Sequence, residues 1–332
     1  MAHDAREAGV PAPYETPASF GPQSVSWRVL TAPATALMIA QITNLLEIPH
    51  LDFQAVLFDH DPLFPTNKKR QRGPRGAGRR KDGHFHDRLR RTLSVPLPMV
   101  LGDQEAARSC ATRLFNYHRP MTGVGADGQT PYAATSPESM LFAAVTISHA
   151  ALIGYENFAF DSRPIPRRLN PAERDRYFAE MAQIAVLMGV PAEDVPMSAG
   201  AVDRYYRSIA AKFGFRPGWE SARLRTAAAL LVPDSWSDVT ATVNDIALVI
   251  STLVAYAALP KPSRRLHRLA AITDPAMAVT RMAALPFFAL LEIPPIARAV
   301  LRWYLGESDR LQLAQARRQI QLTAKATLRT AN

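Results

Sequence analysis

Residues Arg113–Phe160 read RLFNYHRPMTGVGADGQTPYAATSPESMLFAAVTISHAALIGYENFAF. Both ends of this stretch have a helical pattern and the middle does not. Asp103 can cap a helix that runs to about His118 and buries Ala107, Ala111, Leu114 and Phe115. Ser136-Pro137-Glu138 opens a second helix: the serine caps, the proline suits the first turn, and the glutamate complements the helix dipole. That helix continues past Gly154. Between the two lies the turn-rich Gly123-Val-Gly-Ala-Asp-Gly128. His118 therefore ends one apolar helix and His149 sits midway along the next. Each is a residue with metal-binding chemistry on an apolar helix.

The flanking sequence continues the helical pattern. Pro33 starts an apolar run through Leu37, Met38, Ile39, Ile42, Leu45 and Leu46 that is hydrophobic nearly all round, so it predicts a central helix. Asn170-Pro-Ala-Glu173 matches a capping box, and Gly189 supplies the stop. Further helices are predicted over 198–213, 219–231, 238–258, 276–291 and 294–325, the last as either a long surface helix or an oligomer contact. Strand signals are scarce and no internal repeat is present. The chain is predicted to be all-α, one large helical domain.

At 332 residues, 48% hydrophobic and 20% charged, the composition is that of a globular protein with a large core. The single cysteine, Cys110, excludes an intrachain disulfide and fits a reducing compartment; its helix position reads as core. The N-terminal residues 1–23 lack an apolar run and are expected to be a disordered lead rather than a signal peptide. Val239–Leu259 is the most apolar window, but Asp245 within it argues for a buried helix. The net charge of +10 is concentrated: Lys68–Arg91 holds eleven Lys and Arg against two Asp, which is +9. The body is nearly neutral. Lys68–Lys81, with eight basic residues and three glycines, is expected to be an exposed loop, either simply solvated or attached to an anionic membrane or a partner. Nucleic acid is not the expected partner. No phosphate loop, nucleophile elbow or clustered zinc pattern occurs.

Small neighbours around His149 would let a flat macrocycle approach, and a neutral imidazole is a standard haem ligand; a lone core histidine also commonly hydrogen-bonds locally. His118 reads as a pocket residue or as a cation at a helix C-terminus. Asp59-His60-Asp61 superficially resembles a metal cluster, but on an extended segment adjacent side chains point apart. His84 and His86, flanking Phe85, are two ligands without a site.

The ordered set His118, Asp127-Gly128, Tyr132-Ala133, Pro137-Glu138 and His149-Ala150 resembles the oxygenase family of latex-clearing protein (rubber oxygenase) and MpaB. Glu173, Asp175, Tyr177, Glu180, Leu187-Met-Gly-Val-Pro191, Val195-Pro196 and Tyr205 continue the pattern. Ser24–Arg28 and Pro49-His50 near Asp59-His60 resemble its N-terminal part, with a weaker echo at Leu259-Pro260 and Arg264-Arg265. The likeness covers roughly residues 24–210.

The resemblance implies a globin-like core with additional helices and a b-type haem with His149 as proximal iron ligand. His118 stands in the region of the family's distal residue, as a second ligand or a donor to dioxygen, followed by Arg119. Trp27 and Arg28, as partners of a haem propionate or of a buried carboxylate, join His50, Thr146 and Ile153 as expected cofactor-pocket residues. Two departures stand out: the basic loop, and Ser94–Leu101, which has no carboxylate where the family carries its catalytic base. Polyisoprene cleavage by that route is therefore not implied.

The resulting expectation is a haem-b oxygenase using dioxygen on a small apolar substrate, isoprenoid or polyketide-like. It would be cytoplasmic, peripheral to a membrane if the loop attaches there, and either monomeric or a homo-oligomer. The expected division is a haem-binding domain over 24–270, the loop at 68–91, and C-terminal helices over 271–332 on the same domain or a partner subunit. The alternatives are a haem peroxygenase or desaturating tailoring enzyme, and a non-catalytic interaction protein held to an anionic membrane or to nucleic acid by its basic loop.

Overall fold

The computed structural model describes residues 21–60, 92, 94–125, 128–161, 163–215, 239–268 and 273–330. Helix α1 (Val25–Thr31) is capped by Ser24, whose hydroxyl accepts from the Trp27 amide, and stops at Ala32, which is extended at ψ 132°. Pro33 forces that geometry, because the residue before a proline is excluded from the helical region. Helix α2 (Pro33–Glu47) therefore leaves at 86° to α1. Leu37, Met38, Ile39 and Ile42 are all buried along α2, as its all-round apolarity predicts.

The other long core helix is α6 (Pro137–Phe158), opened by Ser136 and Pro137 as predicted. It packs along α2. Gly154 permits the close approach: a Cβ there would lie 3.6 Å from the Thr35 Cα. At Gly154, therefore, α6 faces a neighbouring helix. Among the described residues α6 is the one helix long and apolar enough by itself to cross a membrane, and 72% of that window is buried inside the body.

Helix α7 (Pro171–Leu187) lies against α6 and α1. Its capping box is complete: Glu173 N donates to Asn170 Oδ1 at 2.9 Å, and Asn170 N donates to Glu173 Oε2 at 3.1 Å. The Tyr177 hydroxyl donates to the Ser148 carbonyl at 2.7 Å, and the Ser26 amide to Glu180 at 2.6 Å. Helix α3 (Leu51–His60) follows α2, so Asp59 and His60 are helical, not extended. Helices α4 (Pro96–Leu101) and α5 (Gln104–His118) precede a short hairpin, β1 (Thr122–Val124) and β2 (Pro131–Ala133), in the segment read as a turn. Cys110 is buried, as expected.

Helix α8 (Ala199–Ser208) ends earlier than predicted and continues as a 3-10 turn over Ala210–Lys212. The helix expected over 219–231 and the basic loop lie outside the described residues. Helices α9 (Val239–Ala258), α10 (Lys261–Leu266) and α11 (Thr273–Leu290) follow, with α9 packed on both α2 and α11. The helix expected over 294–325 is two: α12 (Pro294–Tyr304) and α13 (Glu307–Thr330), separated by an extended Leu305 and by Gly306. Both sit on the body. The Tyr304 hydroxyl donates to Gln41 at 3.0 Å, the Arg317 Nε to the Thr31 carbonyl at 2.7 Å, and Gln312 to the Leu97 carbonyl at 3.2 Å. Among the described residues the fold is all-α, as predicted, apart from one hairpin.

Candidate functional site

His149 projects from α6 towards α7 and α8. Its Nδ1 shares a hydrogen bond of 3.3 Å with the Tyr206 hydroxyl, and its ring meets those of Tyr206 and Phe178 at 5.5 and 6.4 Å. Nε2 has no hydrogen-bond partner among the described residues. Burial lowers the pKa from 6.5 to about 4, with Asp203 opposing, so the imidazole is neutral at physiological pH. One nitrogen held and the other bare is the state in which histidine binds a metal.

His50 heads a second aromatic cluster. It follows α2 and is buried among Phe142, Phe213 and Phe53, with ring centroids 4.3, 5.7 and 5.5 Å away. Its Nδ1 is enclosed without a hydrogen-bond partner. Burial holds its pKa down to about 4, with Asp52 opposing. Phe213 meets Tyr206 at 6.5 Å, so an unbroken aromatic path joins His50 to His149. The backbone of residues 213–214 is pinned beside it: His50 and Phe213 form a bridge, and Gly214 N donates to the Pro49 carbonyl at 2.9 Å. At the rim, the Lys212 ammonium donates to Glu138 at 2.5 Å and Asp52 at 3.4 Å, joining α6 and α3. Burial would lower Lys212, but these carboxylates keep its pKa raised. The Tyr205 hydroxyl is buried without a partner, and burial with nearby Glu138 pushes its pKa well up.

The remaining candidate residues are placed elsewhere. His118 ends α5 and donates from Nδ1 to the Leu114 carbonyl at 2.9 Å, the contact expected of a residue at a helix C-terminus. Burial lowers its pKa, the Leu114 carbonyl opposing. No ring contact or hydrogen bond joins it to His149 among the described residues. Arg119 is exposed and makes no ion pair among them. Thr146 faces α2: its hydroxyl donates to the Phe142 and Ala143 carbonyls and to Glu47 at 3.1 Å. Ile153 is core. The Trp27 Nε1 donates to the Val100 carbonyl at 3.0 Å. Arg28 forms a half-buried ion pair with Glu173 at 2.6 Å. Burial would raise Glu173, but the hydrogen bond from Arg28 and the nearby Arg167 hold it below its usual value.

Ser94–Leu101, the stretch without a carboxylate, is structural. Leu97, Met99 and Val100 are core residues, and the carbonyls of this segment accept from Trp27, Gln183 and Gln312. Asp59 accepts from the Tyr132 hydroxyl at 2.7 Å, which explains its place in the motif without a metal. No group of three or more His, Cys, Asp or Glu that could hold a metal ion occurs among the described residues, whereas a haem iron needs only one such ligand. On the adjoining face of α6, a narrow apolar recess of about 10 Å³ is lined by Ala144, Val145, Ser148, Phe178, Met181 and Val202. That is room for about one water molecule, far below the roughly 300–1,000 Å³ of ordinary ligand pockets.

The sequence reading missed Tyr206, Phe142, Phe213 and Lys212. The paired Tyr205-Tyr206 on an otherwise polar helix was the one available signal. No curated protein and no solved structure matches the chain. The family described as ER-bound oxygenase mpaB/B'/rubber oxygenase, catalytic domain, matches residues 69–322. That match runs from the basic loop into α13, well past the stretch of residues that carried the resemblance. It takes in His149, Tyr206 and Phe213, so the chain belongs to the mpaB/rubber oxygenase family and carries its catalytic domain.

Proposed function

We propose that this chain is a haem-b-dependent oxygenase that acts with dioxygen on an apolar substrate, with His149 as the axial ligand. The observation that carries the reading is the state of His149: a neutral imidazole whose Nδ1 is held by Tyr206 and whose Nε2 is uncommitted. The donor chemistry therefore fits the group, since an axial histidine needs its second nitrogen hydrogen-bonded to fix ring orientation and tautomer. When bound, haem supplies the iron at which dioxygen is activated.

The chain's own residues do the rest. Tyr206 orients the ligand. Phe178, Phe142 and Phe213 exclude water and present an apolar wall, which favours a hydrocarbon-like substrate over a charged one. Lys212, bonded to both Glu138 and Asp52, keeps the charges at the rim paired. His118 does not share a contact with this cluster, so the reading rests on His149 alone.

The test is an absorption spectrum of the purified protein, oxidised and then reduced with dithionite, for the wild type and His149→Ala. A Soret band in the wild type, lost in the variant while helical circular dichroism persists, is the expected result. A colourless wild type that cannot be reconstituted with haemin, or a variant with undiminished haem, sinks the proposal.

A further inference from the structure

The outer face of α11 carries no charge. Every exposed residue described on this helix is proline, alanine or a larger apolar side chain. Its two described charges are paired: Arg281 donates to Asn157 on α6 at 3.1 Å, and Asp274, 36% exposed at the helix start, pairs with Arg264 at 3.0 Å and with Lys261 at 3.6 Å. A surface helix normally places its polar residues on that side.

The neighbouring α9 adds a matching stripe. Counted outward from the connecting α10, Leu253 and Val279 come first, Ile250 and Met282 next, and Ile246 and Phe287 third. Leu290 and Ile293 extend the row, and all eight residues are 44–68% exposed. Single exposed apolar residues are ordinary, but eight of them on and beside two helices packed against each other mark an interaction surface.

The charges around the patch select the partner. Among described residues between 261 and 304, every exposed charge is basic: Lys261, Arg265 and Arg268 at the α10 end, Arg298 and Arg302 on α12. Trp303 is exposed beside them. A two-fold dimer built on this face would set one basic border against another, because an isologous interface pairs a patch with itself. An anionic lipid surface instead offers apolar depth to the stripe and opposite charge to both borders, with tryptophan suited to the boundary.

Orientation follows from packing. Phe288, on the inner side of α11, stacks on Phe158 of α6 at 4.3 Å, and α11 meets α12 at 110°. The two helices are together apolar enough to span a bilayer by length and composition, but the bend and the inner anchor lay them along a surface. We infer that the α9–α11 face docks this protein in-plane on an anionic phospholipid membrane, independently of the basic loop at 68–81.

The test uses the full-length chain and floating vesicles of phosphatidylcholine with and without phosphatidylserine. The wild type should float with the anionic vesicles and be partly released by salt. Met282→Gln, Phe287→Gln and Leu290→Gln together should lower partitioning steeply, roughly tenfold for each large side chain no longer withdrawn from water. Unchanged circular dichroism and melting would show the variant folded, and Ile250→Gln alone serves as a milder second probe. Deleting 68–81 should leave a salt-resistant fraction bound. The inference is overturned if the wild type ignores both vesicles, if the folded variants float as well as the wild type, if the loop deletion alone abolishes floating, or if the chain is a dimer that the variants make monomeric without vesicle binding.

Discussion

The Nδ1 of His149 is held by the Tyr206 hydroxyl. Replacing Tyr206 by Phe leaves the ring stack but frees Nδ1, and loss of such an outer partner typically weakens metal binding about 10–100-fold. Haemin titration of Tyr206→Phe should show a loss of that order with normal folding; an unchanged affinity would remove Tyr206 from the site. Gly123 is constrained by contact: a Cβ there would lie 2.7 Å from the Tyr132 hydroxyl. Gly123→Ala should push that ring off Asp59 and destabilise the chain by about 0.5–1.5 kcal/mol, the net worth of one part-buried hydrogen bond. Denaturant unfolding of Gly123→Ala beside Tyr132→Phe checks this, because both should lose the same contact. The chemistry of these residues was legible from their types. Their partners were not, since Tyr206 and His149 are far apart in the chain and meet only through the packing of α6 and α8.

Helix starts are local, and they were legible: Ser136 and Asn170 cap α6 and α7 as their sequences predict. The contact between α2 and α6 gives an element-scale prediction. At Gly154 an added methyl meets ordinary van der Waals contact at 3.6 Å. Gly154→Ala should therefore be neutral or stabilise by up to about 1 kcal/mol through helix propensity. Gly154→Leu should force the helices apart and cost about 1–3 kcal/mol or more. Thermal melts of the pair settle it; two equal losses would mean that α2 does not sit against Gly154. The break at Leu305–Gly306 was not legible, because amphipathic spacing persists through it and only the docking of Tyr304 and Arg317 on the body requires the turn.

For the whole molecule, the buried imidazoles set an acid response. His50 and His149 have pKa values lowered from 6.5 to about 4. Between those limits the unfolded chain holds protons that the folded chain refuses, so stability rises with pH there. Their contribution is complete above about pH 6.5 and is lost as pH falls towards 4. Glu173, held low by Arg28, acts in the same direction at lower pH, its contribution fading as pH drops through its depressed pKa. Melting temperature against pH should fall across this window, and His50→Phe should flatten the slope of stability by up to about 1.4 kcal/mol per pH unit, one proton's worth. A profile unaffected by that substitution would mean that His50 is not held neutral.

The all-α class, the central α2, the caps and the family were determined by the sequence alone. Each rests on periodicity, on contacts within a few residues or on an ordered motif. The tertiary structure decided what surrounds those residues. It gave the small side chains of α6 to α2, Arg28 to Glu173 and His118 to its own helix end. It brought Phe213 and Tyr206 between His50 and His149, and it left one face of α9 and α11 uncovered. Such outcomes depend on which helix faces meet, and a linear pattern sets only that each helix has a face to bury.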